Sequence, residues 1–413
     1  MANGYLTVNV YDKNISKPVG NATVVVSGEN YKQSFVTDNN GKTPLIELSA
    51  PDKKYSLYPQ KEVRPYSIYS VEVSKDGYEK KIINGVQVLP DETSIQNVYL
   101  DPTVTTFSTE AIKSASIADP EVINLPPHSL WEEEKTGSVS NVVEGTTDMR
   151  VYPYVLIPEY VIVHNGAPSN SAANYYVPFI DYIKNVASGE IYSTWPVESL
   201  RANIYAIISF TLNRVFTEWY ISRGYNFTIT ALPTYDQSYT YDRTIFKTIS
   251  DIVDDIFMYY IKIPGRDYPF FAQYDDGINV NNAGWLSQWG SKYLADQGYN
   301  ALQILRYYYV DDLTLVSANE VEGLPSSFPG YNLTIGSCGE PVRQVQIMLN
   351  AISNNYPAIP KVSTDGVYSD NTGKSVKVFQ QVFDIPNTGI VDFTTWYKLS
   401  YIYVAVIKMQ KGV

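Results

Sequence analysis

Cysteine and histidine are nearly missing from this chain. One cysteine, Cys338, and two histidines, His128 and His164, stand among 413 residues. A single cysteine excludes an internal disulfide framework and any multi-cysteine zinc site. Two histidines leave little for a histidine-ligated metal, and a Ser-His-Asp triad would have to use one of them. Basic residues are also short: 31 Lys and Arg face 43 Asp and Glu, a net charge of -12. That balance argues against binding a phosphate backbone or an anionic membrane surface. No run approaches the roughly 20 apolar residues that span a bilayer. The opening MANGYLTVNVYDKN has neither a basic n-region nor an apolar h-region, so it does not read as a secretory signal peptide. By elimination, chemistry in this chain would rest on carboxylates. No metal and no cofactor is expected.

What is present points to a folding, multidomain chain. Hydrophobic residues make up 44% and charged residues 18%, which excludes wholesale disorder. The length exceeds the roughly 250–300 residues at which single cores stop growing. Residues 1–102 alternate in strand fashion, as in YLTVNVYD with Leu6, Val8 and Val10 on one face, and TDNNGKT and KDGY supply turns. The spacing predicts a small all-β sandwich. From 103 to 150 the period breaks down, and eight acids against three bases leave a net of -5. That segment reads as an exposed acidic linker, open to proteases. Residues 151–327 mix strands with helices, the longest expected from Pro196 to Arg223 with Val197, Leu200, Ile204, Ile208, Leu212 and Trp219 on an apolar face. KYLADQGYNALQILRYYY also reads as helical. Residues 328–413 read as three amphipathic helices, the first with Val342, Val345, Leu349 and Ile352 on one side.

Residues alone leave Glu190, just before Trp195-Pro196, as either a solvated loop carboxylate or a proton donor at a cleft. Asp275 and Asp276 in QYDDG read as turn residues and as the acid pair a hydrolase would use. Arg201 reads as a substrate-carboxylate ligand or, better, as half of a helix-surface pair. His164 reads as closing a strand at an Asn-Gly turn. The 37 tyrosines serve packing or stacking on sugar rings, and their number does not decide which.

Three resemblances sharpen this. PVGNATVVV, TDNNGKTPL and VSKDGYEKKIINGVQV together resemble a transthyretin-like (carboxypeptidase-regulatory-like) domain, which implies a non-catalytic unit. VRQVQIMLN, DGVYSDNTGKSVKVFQQVF and TGIVDFTTWYKL, between Val342 and Leu399, resemble the three-helix peptidoglycan-binding domain. Most of those positions are also what the bundle needs for its own core and turns. GEIYSTWPVESLRANIYAIISFTLNR, TYDQSY and GWLSQWGSKYLADQGYNALQILRYYY, within Tyr154 to Val310, resemble the catalytic domain of the stage II sporulation protein D family. There Glu190 falls on the catalytic glutamate, and Tyr239, Trp285, Ser287, Gln288, Trp289 and Arg201 become substrate-binding candidates. Ile208 replaces the arginine usual on the following helix, and the Cys and His zinc ligands of some relatives are missing. The order of domains resembles that of the clostridial spore cortex-lytic enzymes, which are made as proenzymes.

The resemblance implies a peptidoglycan lytic transglycosylase that degrades spore cortex glycan during germination. It would lie at or outside the cortex, and a germination protease would cut it near Arg150-Val151. The N-terminal domain, or the linker's PPHSLWEEE with Trp131 as a plug, would cover the Glu190 cleft until the cut. Such a lyase needs one carboxyl, in an apolar pocket that keeps it protonated. A hydrolase normally shows a pair roughly 5–9 Å apart. The alternatives are a muramidase-type hydrolase and a non-catalytic wall-binding or amidase-enhancing protein. No nucleic-acid partner and no membrane span are expected.

Overall fold

In a computed structural model, residues 2–14, 17–103, 120–131 and 154–411 are described. The first part is built of strands β1 (Ala2–Asp12), β2 (Thr23–Gly28), β3 (Tyr31–Val36) and β4 (Ile46–Ala50), a one-turn helix α1 (Lys54–Leu57), then β5 (Ser67–Ser74), β6 (Lys81–Val88), β7 (Thr93–Leu100) and β8 (Glu121–Asn124). The alternation in the sequence is realised. Leu6, Val8 and Val10 of β1 are fully buried with Val24, Val26, Val71, Val73 and Val98 in one shared core. One sheet runs β3-β2-β5-β6-β8, and the other joins β4, β1 and β7.

Two strands reach this part from outside residues 1–102. β8 comes from the segment expected to be exposed linker, and it pairs in parallel with the edge of β6. Gly85 makes room for it: its φ is +87°, and a Cβ there would sit 2.7 Å from the Leu125 carbonyl. Aperiodicity concealed β8 because only Ile123 of its four residues is even partly buried. Residues 104–119 and 132–153, with the Arg150-Val151 position, lie outside the described residues. The second strand is β13 (Ile245–Phe246), which adds antiparallel to β7.

The central part contains β9 (Leu156–Ile157), β10 (Tyr160–His164), β11 (Asn174–Pro178), α2 (Phe179–Glu190), α3 (Val197–Phe216), β12 (Ile229–Thr230), β13, α4 (Lys247–Ile256), β14 (Tyr259–Lys262), β15 (Tyr274–Asp275), β16 (Leu286–Ser287), α5 (Gln288–Asp296), α6 (Ala301–Tyr308), β17 (Thr314–Ser317) and β18 (Glu320–Val321). α3 is shorter than expected and is buried on nearly every side, while Val197 stays exposed and Trp219 falls past its end. Its buried faces carry polar residues as well, and these are paired: Asn203 with Ser291, Thr211 with Gln237 and Arg214 with Asp236. The stretch expected as one helix from Lys292 to Tyr309 is two. Gly298 at φ +87° ends the first, and Asn300 caps the second in a capping box with Gln303.

The C-terminal part is all helical: α7 (Glu340–Ile352), α8 (Asp370–Val382) and α9 (Phe393–Lys411). Val342, Val345, Leu349 and Ile352 are all fully buried, as their spacing predicts. Among the described residues no helix is long and apolar enough to cross a membrane.

Candidate active site

Glu190 is the last residue of α2, not a loop residue, and only 4% of it is exposed. Its Oε1 accepts a 2.7 Å hydrogen bond from the backbone N–H of Ser238. Ser238 belongs to the loop TYDQSYTYD, which is built to hold that N–H in place. Gln237 is fully buried. Its Oε1 accepts from Tyr182 at 3.0 Å and from Thr211 at 2.9 Å, and its Nε2 donates to the Ile207 carbonyl. One residue earlier, Asp236 accepts from Arg214 Nε at 2.8 Å, with the two side chains 0% and 2% exposed. Asp236 also accepts from the Tyr220 hydroxyl and from Thr230 N and Oγ1. A buried charge is tolerated only when so fully paired.

The other end of the loop is anchored in the N-terminal part. Asp242 meets Lys81 of β6 at 2.8 Å, with both side chains almost completely buried. Burial opposes the charge on Lys81, but the Asp242 carboxylate outweighs it and holds the ammonium above its ordinary pKa. Gln96 of β7 donates to the Asp242 carbonyl and accepts from Thr244. Against α2, Asn185 bonds both the N–H and the carbonyl of Thr240. A Cβ on Gly189 would meet the Arg243 guanidinium at 2.8 Å, so a larger residue before Glu190 would have to displace that side chain.

The wall around the carboxyl is aromatic. Tyr239 stacks on Tyr182 at 5.7 Å. Burial, then the Glu190 charge, raises the Tyr274 phenol well above its ordinary pKa. Burial likewise raises Tyr182, with Asp236 and Glu190 adding to it. Both phenols therefore keep their protons at neutral pH, and Tyr182 donates its own to Gln237. Beyond Glu190, Trp195 packs on Trp289 at 4.8 Å, and Tyr192 meets both indoles at about 6 Å.

The candidates thus separate. Tyr239 and Trp289 belong to the surroundings of Glu190. Gln288 is buried at the start of α5. Ser287 caps that helix by accepting from Gly290 N at 2.9 Å, and Trp285 is half-buried in the loop before β16. Arg201 is paired with Asp255 at 2.6 Å and lines a cleft facing the C-terminal part. Asp275 and Asp276 brace their own loop: Asp276 accepts from the N–H groups of Ile278, Asn279 and Val280, and Asp275 from Asn282. His164 accepts or donates at Asn174 and stacks on Phe227, a structural role. Tyr182, Tyr274 and Arg214 were not picked out from the sequence. Asp236, Gln237 and Ser238 lie inside the TYDQSY motif but were given no role of their own. No cluster of three or more His, Cys, Asp or Glu able to hold a metal occurs among the described residues.

The segment before the undescribed linker lies against this site. The His128 ring stacks on Tyr192 at 4.3 Å. Ser129 N–H donates to the Gly189 carbonyl, and His128 N–H to the Tyr66 hydroxyl. Trp131 is partly buried on the same core, and Trp195 Nε1 donates to the Ser56 carbonyl of the N-terminal part.

Comparison with curated proteins gives no match. Among solved structures, the chain is similar to the Bacillus anthracis TIE protein, at 20% identity over 25% of this chain and 17% of that one, with a TM-score of 0.19. It is similar to wild-type Acinetobacter radioresistens catechol 1,2-dioxygenase at 15% identity, over 29% and 57% of the two chains, TM-score 0.18. For Klebsiella pneumoniae 5-hydroxyisourate hydrolase the values are 16%, 24% and 92%, and 0.17. The chain spans under a third of the length of the first two structures it matches, and likeness at these scores bears on neither fold nor activity. Residues 338–399 match the peptidoglycan binding domain family. The C-terminal helical part carries this peptidoglycan-binding domain.

Proposed function

We propose that the chain is a peptidoglycan lytic transglycosylase with Glu190 as its single acid and base. Glu190 protonates the glycosidic oxygen between N-acetylmuramic acid and N-acetylglucosamine. The same carboxylate then takes the proton from the muramic C6 hydroxyl, which attacks C1 and closes a 1,6-anhydro ring. No water is consumed and no second carboxylate is needed. The observation that carries this reading is the placement of one buried carboxyl, fixed by the Ser238 N–H and walled by tyrosines that hold their protons. Asp275 and Asp276, the pair a hydrolase would use, are engaged in their own turn.

The spore cortex as substrate, and a proenzyme cut in the linker, belong to the same proposal and rest on the sequence resemblance. The contacts of His128 and Ser129 beside Glu190 favour latency. Peptide-poor cortex glycan should be digested with the chain before and after cleavage of the linker. Anhydromuramic ends in the products support the lyase. Reducing ends would mean a hydrolase, and unchanged glycan after the cut would mean a binding protein only. Equal initial rates before and after the cut would remove latency.

A further inference from the structure

Residues 120–131 form a strap from the N-terminal sheet to the Glu190 site. Its near end is a strand: β8 pairs with β6 from Glu121 on Lys81 to Asn124 on Asn84. Asn84 Nδ2 donates to Asn124 Oδ1 at 2.9 Å, and Leu125 N–H donates to the Asn84 carbonyl. Pro126 and Pro127 then stiffen the chain, and Gln87 Nε2 donates to the Pro126 carbonyl at 3.2 Å. A turn follows, closed by Trp131 N–H on the His128 carbonyl at 2.8 Å. Two bonds pin that turn: His128 N–H donates to the Tyr66 hydroxyl, and Ser129 N–H to the Gly189 carbonyl at 3.0 Å. His128 is the one fully buried residue of the strap. Trp131, expected to be the plug, is only partly buried.

We infer that His128 is a competitor for glycan built into the chain: its ring occupies the face of Tyr192 on which a sugar ring of the substrate stacks. The two rings lie 4.3 Å apart and are inclined by 27°, the offset stack of two flat rings. The apolar face of a pyranose fits the same place. Tyr192 lies two residues past Glu190 and meets Trp195 and Trp289 at about 6 Å, so the covered face belongs to an aromatic group beside the reacting carboxyl. With the strap in place Tyr192 is only 2% exposed. The anchor of the strap, β8, precedes the linker. A cut within residues 132–153 therefore frees only the far end of the strap, and glycan displaces the rest. This deepens the latency reading above and rests on it for the substrate.

Rates on soluble peptide-poor glycan are measured over a range of concentrations, with the full chain before and after the linker cut. Removing a competitor lowers KM and leaves kcat alone. His128→Ala should lower KM about tenfold in both forms. His128→Phe keeps the stack and should behave as wild type, and so should Trp131→Ala. An unchanged KM in His128→Ala, a fall in its kcat alone, or an equal gain in Trp131→Ala overturns the inference. Melting temperatures check folding. If His128→Ala does not fold, Ser129→Pro, which removes the N–H on Gly189, takes its place. Amide exchange in the Glu190→Gln chain needs no turnover. Saturating glycan should speed exchange at Ser129 while the β8 amides stay protected, and unchanged exchange at Ser129 overturns the plug. If Ser129 responds but the wild-type chain cleaves no glycan, the lyase reading falls and the strap stands.

Discussion

The C-terminal bundle and the Glu190 site are both held by buried glutamines, but they close differently. In the bundle, Gln346 bonds Gly366 N, Asp365 and the Val367 carbonyl, all in the turn before α8. Gln380 repeats the device on Gly389 N and the Ile390 carbonyl before α9. Each clamp is completed within the unit. Around Glu190, Gln237 and Asp236 tie the loop to α3, but its far end is tied to Lys81 and Gln96 of the N-terminal part. The bundle's glutamine clamps close within it, although its outer side packs on the central part through Lys398–Asp254 and Phe257–Tyr397. The loop that holds Glu190, anchored in another domain, cannot lose that domain without consequence. Cutting the linker does not by itself sever the β13–β7 pairing or the Lys81–Asp242 contact.

The largest effect should come from Asp236→Ala. It leaves Arg214 buried without its partner, a loss of about 3–5 kcal/mol, seen as a lower unfolding midpoint with the Glu190 reaction abolished. A midpoint near wild type would mean that the loop is not held this way. Next, Gln380→Ala orphans Gly389 N and the Ile390 carbonyl. Destabilisation of about 1–3 kcal/mol is expected, confined to the bundle: wall sedimentation falls while cleavage of soluble glycan persists. Equal loss of both would erase the contrast between the regions.

The smallest effect concerns Glu92, whose Oε1 accepts from Thr93 N and from Thr248 N at the foot of α4. Burial raises its pKa in the folded chain. A carboxyl raised on folding costs stability above its folded pKa, and the cost fades as pH falls through it. Glu92→Gln should therefore raise the melting temperature at neutral pH and give no gain below the ordinary glutamate range. A lower melting temperature at neutral pH would show that the charge helps to hold the domains together.

The legible part of this fold is whatever repeats locally. Leu6, Val8 and Val10 announced a strand, and Val342, Val345, Leu349 and Ile352 a helix face. The clamping glutamines were visible as motif positions because each acts within a few turns of itself. Glu190 was visible only through the pattern around it. What fixes its carboxyl was not: the Ser238 donor is a backbone N–H, carried by every residue but proline. The Lys81–Asp242 pair joins positions far apart in the chain, and no periodicity marks it. β13 and β8 are too short to show alternation.

The central claim is that one carboxyl does the chemistry while a separate unit holds the wall. Glu190→Gln keeps the side chain's size and its acceptor for Ser238 N–H but removes the transferable proton. Its initial rate on peptide-poor glycan, measured after the linker cut and beside wall sedimentation, tests the claim directly. The account predicts a rate lower by about 10²–10⁴-fold with sedimentation unchanged. A rate within about threefold of wild type would contradict it.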